Sequence, residues 1–291
     1  MFLRSALALF LAFQFTLSVD VDLVVFNVTV LDKDGERITG LTEKDFRVYE
    51  NGREEKIKVF FAEDSPATVG LVIDNSGSMT NKRNDVTNAA LSFLGASHPE
   101  DEMFVVKFNR KAWLGLPPST RFTNNRSELR ATLKDIRAEG TTALYDALKL
   151  ALNHLDDGSR QRKALVLLSD GGDNASVTKL DDVLRLAQQS SATIYCIGIY
   201  DPDQKDRNPN ALKRIAKVTG GEAFFPENLA SLQSVWPRIA SAIRGQYTLG
   251  YVSSNPARDG VYRQVKITAV RKGKHLDVRT RPGYFAAKVG S

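Results

Sequence analysis

Three short polar strings in this sequence gather the oxygen atoms a hard cation needs: Asp74-Asn-Ser-Gly-Ser78, Gly140-Thr-Thr142 and Ser169-Asp-Gly-Gly-Asp173. Neutral hydroxyls with few carboxylates suit an ion that keeps several of its waters. Mg²⁺ is the expected occupant, with Mn²⁺ or Ca²⁺ as other oxygen-seeking ions. None of the strings contains His or Cys, which argues against zinc or copper. Ser and Asp are also common helix caps and turn formers, so one such string alone would point no further than local structure. Three of them at neighbouring strand ends point to a site.

The same residues speak against catalysis. No His lies in the strings to activate Ser76 as a nucleophile. No G-x-G-x-x-G follows a strand, and neither a G-x-x-x-x-G-K-[ST] phosphate cradle nor a G-x-S-x-G elbow occurs. A binding protein rather than an enzyme is expected.

The elements that must position these strings are legible from periodicity. Thr68 to Ile73, Lys163 to Leu168 and Ala192 to Ile199 show the apolar pattern of strands buried on both sides in a parallel sheet, and Met103 to Phe108 reads as a further strand. Shorter strands are expected near Ala112 to Leu116 and Glu222 to Phe225, giving six. Helices are expected over Arg83–Leu94, Ser127–Ile136, Ala143–Leu155, Leu180–Gln189, Pro209–Val218 and Leu229–Ile243, with Ser127 and Glu128 at a helix start and Gly220-Gly221 at a helix end. Alternating strands and helices make a doubly wound, mostly parallel six-stranded sheet. In that plan ligands bind beyond the carboxyl ends of the strands, where the three strings fall.

Both chain ends change to period-two alternation. Val21 to Val30, Phe46 to Tyr49 and Ile57 to Phe61 read as strands at one end, and Tyr247 to Val252, Val261 to Val270 and Leu276 to Thr280 at the other. Turns are expected at Asp34-Gly35, rather than a calcium loop, and at Asn51-Gly52. Neither end has enough strands to close a core alone, so the two are expected to pair into one small all-β sandwich with the α/β domain inserted; two separate flaps are the alternative. The expected division is a signal peptide over 1–18, sandwich over 19–63, α/β domain over 66–245 and sandwich again over 246–286.

Asp74-x-Ser76-x-Ser78, Thr142 and Asp170 resemble the metal-ion-dependent adhesion site of von Willebrand factor type A domains, the fold of integrin inserted domains and the anthrax toxin receptors. The likeness spans Ala67 to Gly245. It implies that Ser76 and Ser78 coordinate Mg²⁺ through their hydroxyls and that Thr142 coordinates it in the tight-binding state. Asp74 and Asp170 would hold metal-bound waters. A protein partner would offer an Asp or Glu to the open position. Phe26-Asn-Val-Thr-Val30, Gly40 to Phe46, Tyr49-Glu-Asn-Gly52 and Arg281-Pro-Gly-Tyr-Phe285 resemble the bacterial VWFA-related family described chiefly from Acidobacteria.

With 42% hydrophobic and 25% charged residues in 291, the chain is ordinary for a globular protein. The net charge of +6 comes from Lys and Arg scattered among acids, so no nucleic-acid partner is expected. Arg4 followed by an apolar stretch from Ala6 to Leu17 reads as an export signal, either cleaved, which leaves no membrane insertion, or kept as an anchor, since no clean A-x-A site follows; a periplasmic, envelope-associated or secreted protein is expected. Cys196, the single cysteine, reads as a buried hydrophobe. His98, His154 and His275 read as solvated or capping residues, Trp113 and Trp236 as core or edge packing, and Asp201 to Asp206 as a solvated loop after a strand end rather than a rim of the site.

Overall fold

The structure is a computed structural model that describes residues 23–62, 64–134, 140–200 and 207–288. The expected signal peptide, the Asp201 to Asp206 loop and the end of the helix expected to reach Ile136 lie outside the described residues. Four strands come first: β1 (Leu23–Leu31), β2 (Phe46–Glu50), β3 (Arg53–Glu55) and β4 (Ile57–Phe61). Six more follow: β5 (Ala67–Asp74), β6 (Glu102–Phe108), β7 (Ala112–Leu114), β8 (Arg162–Ser169), β9 (Thr193–Gly198) and β10 (Ala223–Phe224). Helices α1 (Arg83–Ala96), α2 (Arg126–Lys134), α3 (Leu144–Asp156), α4 (Leu180–Gln189), α5 (Pro209–Val218) and α6 (Leu229–Arg244) are interspersed with these six strands. The chain closes with β11 (Tyr247–Val252), β12 (Tyr262–Arg271), β13 (Lys274–Arg279) and β14 (Gly283–Phe285).

The middle six strands form one sheet in the order β10-β9-β8-β5-β6-β7, parallel except for β7, which turns back against β6. Its central strands are continuous apolar runs because helices cover both faces; every residue of β5 is buried. Gly70 in β5 has a packing reason, since a Cβ there would lie 2.4 Å from the Phe104 ring and 2.5 Å from Leu165. The helix expected to start at Ser127 is instead capped by Asn125, whose Oδ1 accepts the Ser127 and Glu128 amides at 2.9 and 3.3 Å. His154 is no solvated residue: it is buried between the Phe104 and Phe122 rings and bonded to the Arg121 carbonyl.

The chain ends form a second, antiparallel sheet. β1 pairs with β11 from Leu23↔Val252 to Val28↔Tyr247, then with β13 from Thr29 onward, while β2 pairs with β12. The two ends are therefore one unit and not separate flaps. In the strand order β2 and β11 stand four places apart, roughly 19 Å in a flat sheet at about 4.8 Å per strand. Yet the Phe46 and Tyr247 rings are 5.2 Å apart. The sheet thus folds over a core of its own, led by Phe26, Phe46, Tyr247, Leu249 and Tyr251. The Asp32 carboxylate accepts the Asp34 and Glu36 amides, which makes that acidic string a turn, and Asn51 and Gly52 both adopt the left-handed conformation of a two-residue hairpin turn.

The inserted unit leaves and returns at one point. The Asp64 amide donates to the Arg244 carbonyl at 2.7 Å. The buried Arg162 guanidinium donates to the carbonyls of Ala62, Ser65, Ile243, Arg244 and Gln246 at 2.6–3.3 Å. One side chain at the foot of β8 so ties both connecting segments together. Among the described residues, no helix is long and apolar enough to cross a membrane.

Candidate metal centre

Asp74 is the last residue of β5 and is 1% exposed. Its Oδ1 accepts the Ser76 amide at 2.8 Å and its Oδ2 accepts the Ser169 hydroxyl at 2.6 Å. Burial pushes the Asp74 carboxyl up; the bonds from Ser169 and Ser76 pull it down, the charge of Asp170 adds to the push, and it stands at about 6. An acid held there is a charge without enough compensation.

The other expected residues converge on it. Ser76 Oγ and Ser78 Oγ lie 3.1 Å apart, and Ser78 Oγ donates to Asp170 Oδ2 at 2.7 Å. Asp170 follows β8, and its Oδ1 accepts the Gly172 amide at 2.9 Å. Asp74, Ser76, Ser78 and Asp170 therefore form a continuous hydrogen-bonded run from the end of β5 to the end of β8, all nearly buried except Ser78.

Thr142 reaches the cluster through backbone. The Gly77 amide donates to the Gly140 carbonyl at 3.1 Å, which docks the threonine loop against the serine loop. The Thr142 amide donates to Asn174 Oδ1 at 2.8 Å, and its carbonyl accepts the amides of Asn174 and Ala175. Its hydroxyl has no hydrogen bond among the described residues. That side chain is positioned but uncommitted.

Two groups escaped the sequence reading. Ser169 sat within the third string, and its direct bond to Asp74 follows from the pairing of β5 with β8. Asn174 closes the gap between the second and third strings. Asp173, by contrast, accepts the Ser176 hydroxyl at 2.6 Å and belongs to the loop facing the start of α3. Among the described residues no group of three or more His, Cys, Asp or Glu is placed to hold a metal. The donor set is instead two buried carboxylates with three hydroxyls on three loops, which fits a hard divalent cation and not a soft one.

The model of the von Willebrand factor type A domain matches residues 69–237, more than half of the chain and all of the strings. The chain belongs to that family. A Synechocystis protein described as uncharacterised is 28% identical over 169 residues, 56% of this chain and 38% of its own length. The chain therefore spans little more than a third of that relative. A von Willebrand factor type A structure from Catenulispora acidiphila superposes with a TM-score of 0.56 at 16% identity, covering 92% of this chain and 74% of that one. The corresponding domain of the type V pili tip protein from Porphyromonas gingivalis gives a TM-score of 0.53 at 16% identity over 62% of this chain and 96% of that one. Both share the fold. Von Willebrand factor type A domains are commonly protein-interaction or adhesion modules and often bind a divalent metal at an adhesion site.

Proposed function

We propose that this von Willebrand factor type A protein is an exported, non-enzymatic binding module that holds Mg²⁺ at the strand-end site and uses it to grip an Asp or Glu of a protein partner. The observation that carries this reading is Asp74: buried, raised to about 6, beside the charge of Asp170 and bonded to neutral donors. A divalent cation relieves that electrostatic cost. Ser76 and Ser78 would hold it through their hydroxyls, Asp74 and Asp170 through its waters, and Thr142 directly in the tight-binding arrangement; Mn²⁺ or Ca²⁺ would fit the same donors. Bound there, the ion supplies a positive centre that neutral hydroxyls leave largely unquenched for an anionic oxygen.

Ser76 Oγ meets Ser78 Oγ rather than a base, and His154 is occupied in the core, which supports binding over catalysis. Export rests on Arg4 and the apolar run behind it, and the fold shared with a pilus tip protein accords with it. The test is calorimetry with MgCl₂ on the wild type and on Ser76→Ala, beside capture of envelope proteins in Mg²⁺ and in EDTA. Micromolar to millimolar binding lost in the variant, with capture lost in EDTA, is expected. No metal binding by the wild type removes the proposal, and capture indifferent to EDTA reassigns the metal to stability.

A further inference from the structure

The hairpin joining β6 to β7 forms a rim of the metal centre. The Phe108 carbonyl accepts the Asn75 amide at 2.6 Å, and the Asn109 carbonyl accepts the Ala143 amide at 2.7 Å. The end of β6 is thus wedged between the loop of Asp74, Ser76 and Ser78 and the loop of Thr142. The three-residue turn beyond it is fixed by the Asn109 amide bonding to the Lys111 carbonyl at 3.0 Å. Arg110 and Lys111 at its tip are exposed, and neither pairs with a carboxylate among the described residues. Trp113 follows on edge strand β7, 38% exposed. Together with Gly140 and Thr141 these residues line an open groove of about 580 Å³ that ends one residue from Thr142.

Nothing in the metal chemistry calls for two cations and an indole here. A solvated hairpin tip would keep Lys or Arg, but a tryptophan left more than a third exposed beside them is the composition of an interface anchor. Charge complementarity sets the occupant: a segment that brings one carboxylate to the ion passes two positive side chains next. We propose that this rim selects partner segments bearing a second acidic residue for Arg110 and Lys111 and an apolar residue that lies against Trp113. The inference rests on the cation-gripping reading above and adds the sequence class of the partner.

The test uses the full protein immobilised in Mg²⁺, a random peptide library displayed on phage, and elution with EDTA. Expected eluates carry two acidic residues a few positions apart and an apolar residue. Arg110→Glu with Lys111→Glu should weaken a selected synthetic peptide about tenfold or more, Trp113→Ala similarly, while Mg²⁺ stabilisation stays as in the wild type. Replacing the second acid of that peptide by Lys should restore binding to the charge-reversed protein, an effect no structural role of the hairpin produces. Eluates with a single acid and no further preference, or peptide affinity unmoved by the charge reversal, overturn the rim proposal and leave the metal grip standing. No peptide released by EDTA overturns both.

Discussion

Two of the buried carboxylates, Glu50 and Asp74, are held in opposite ways. Glu50, 3% exposed in the antiparallel unit, accepts the Arg263 guanidinium at 3.2 Å and the hydroxyls of Tyr251, Tyr284 and Ser253 at 2.7–2.8 Å. Burial pushes it up, but the hydrogen bonds from Ser253, Tyr284, Tyr251 and Arg263 together pull it below its ordinary value. Asp74 in the α/β unit has hydroxyl and amide donors only among its bonds, and it stays raised at about 6. The first charge is balanced inside the fold and so belongs to stability. The second calls for balance from outside, which is what a binding site for a cation requires.

The largest expected effect is at the internal pair. Arg263→Leu leaves Glu50 buried without its cation and should cost about 3–5 kcal/mol in urea unfolding. Asp74→Asn, measured in EDTA, removes a strained charge and should change stability by less than about 1 kcal/mol. Both tryptophans, Trp113 and Trp236, lie in the α/β unit, so their fluorescence reads that unit while far-ultraviolet dichroism reads both. If Asp74→Asn in EDTA destabilises as much as Arg263→Leu, the contrast between the two carboxylates is false.

Metal addition is next. An ion bound only by the native state at a hundred times its dissociation constant adds about 2.7 kcal/mol, a rise in Tm on the order of 5–10 °C. The tryptophan transition should show it in the wild type and lose it in Asp74→Asn. Equal midpoints in Mg²⁺ and EDTA would leave Asp74 as an unexplained strain.

These two regions differed as much in legibility. The candidate donors lie in short local strings, each at a strand end that apolar periodicity marks; residue type and spacing pick out the strings, the family resemblance picks the five residues, and four of those share one hydrogen-bonded run. The doubly wound sheet was legible for the same reason. Glu50 and Arg263 are 213 positions apart, and Arg162 meets carbonyls on two connections up to 100 positions away. Nothing local distinguishes such arginines from solvated ones. Arg281 is similar: buried, donating to Val25, Gln188 and Ser190 carbonyls, it docks the antiparallel unit on the end of α4. Its one local mark is its place in Arg281-Pro-Gly-Tyr-Phe285. His154 has no periodic signature, because the aromatic rings that bury it, Phe104 and Phe122, are distant in sequence.

Acid should separate the two carboxylates by sign. Glu50 is lowered, so its stabilisation is present above its unfolded value near 4.5 and is lost as pH falls through its folded value. Asp74 is raised from 3.8 to about 6, so its contribution is present below 3.8 and is lost as pH rises through 6. In EDTA, going from pH 7 to 5 should therefore stabilise the α/β unit by about 1 kcal/mol, and going below 4.5 should destabilise the antiparallel unit. Asp74→Asn should flatten the first limb and Glu50→Gln the second. A wild-type α/β unit that weakens steadily from pH 7 to 5 in EDTA would contradict the placement of Asp74.

The smallest expected effect on stability is at Thr142, and it sharpens the contrast within the centre itself. Ser78 donates to Asp170 and Ser169 to Asp74, so removing either hydroxyl leaves a buried carboxylate short of a donor. The Thr142 hydroxyl has no such bond among the described residues, and its loop is held by backbone contacts to Asn174 and Ala175 that a methyl side chain keeps. Thr142→Ala should therefore leave metal-free stability within about 0.5 kcal/mol of the wild type, whereas Ser169→Ala should cost about 1–3 kcal/mol. A hydroxyl kept in place without a structural bond is available to a ligand, so the same substitution should weaken Mg²⁺-dependent partner capture strongly. Urea unfolding in EDTA and capture in Mg²⁺ give the two readings on one protein. If Thr142→Ala lowers stability as far as Ser169→Ala and spares capture, Thr142 is part of the scaffold and the centre has four working side chains instead of five.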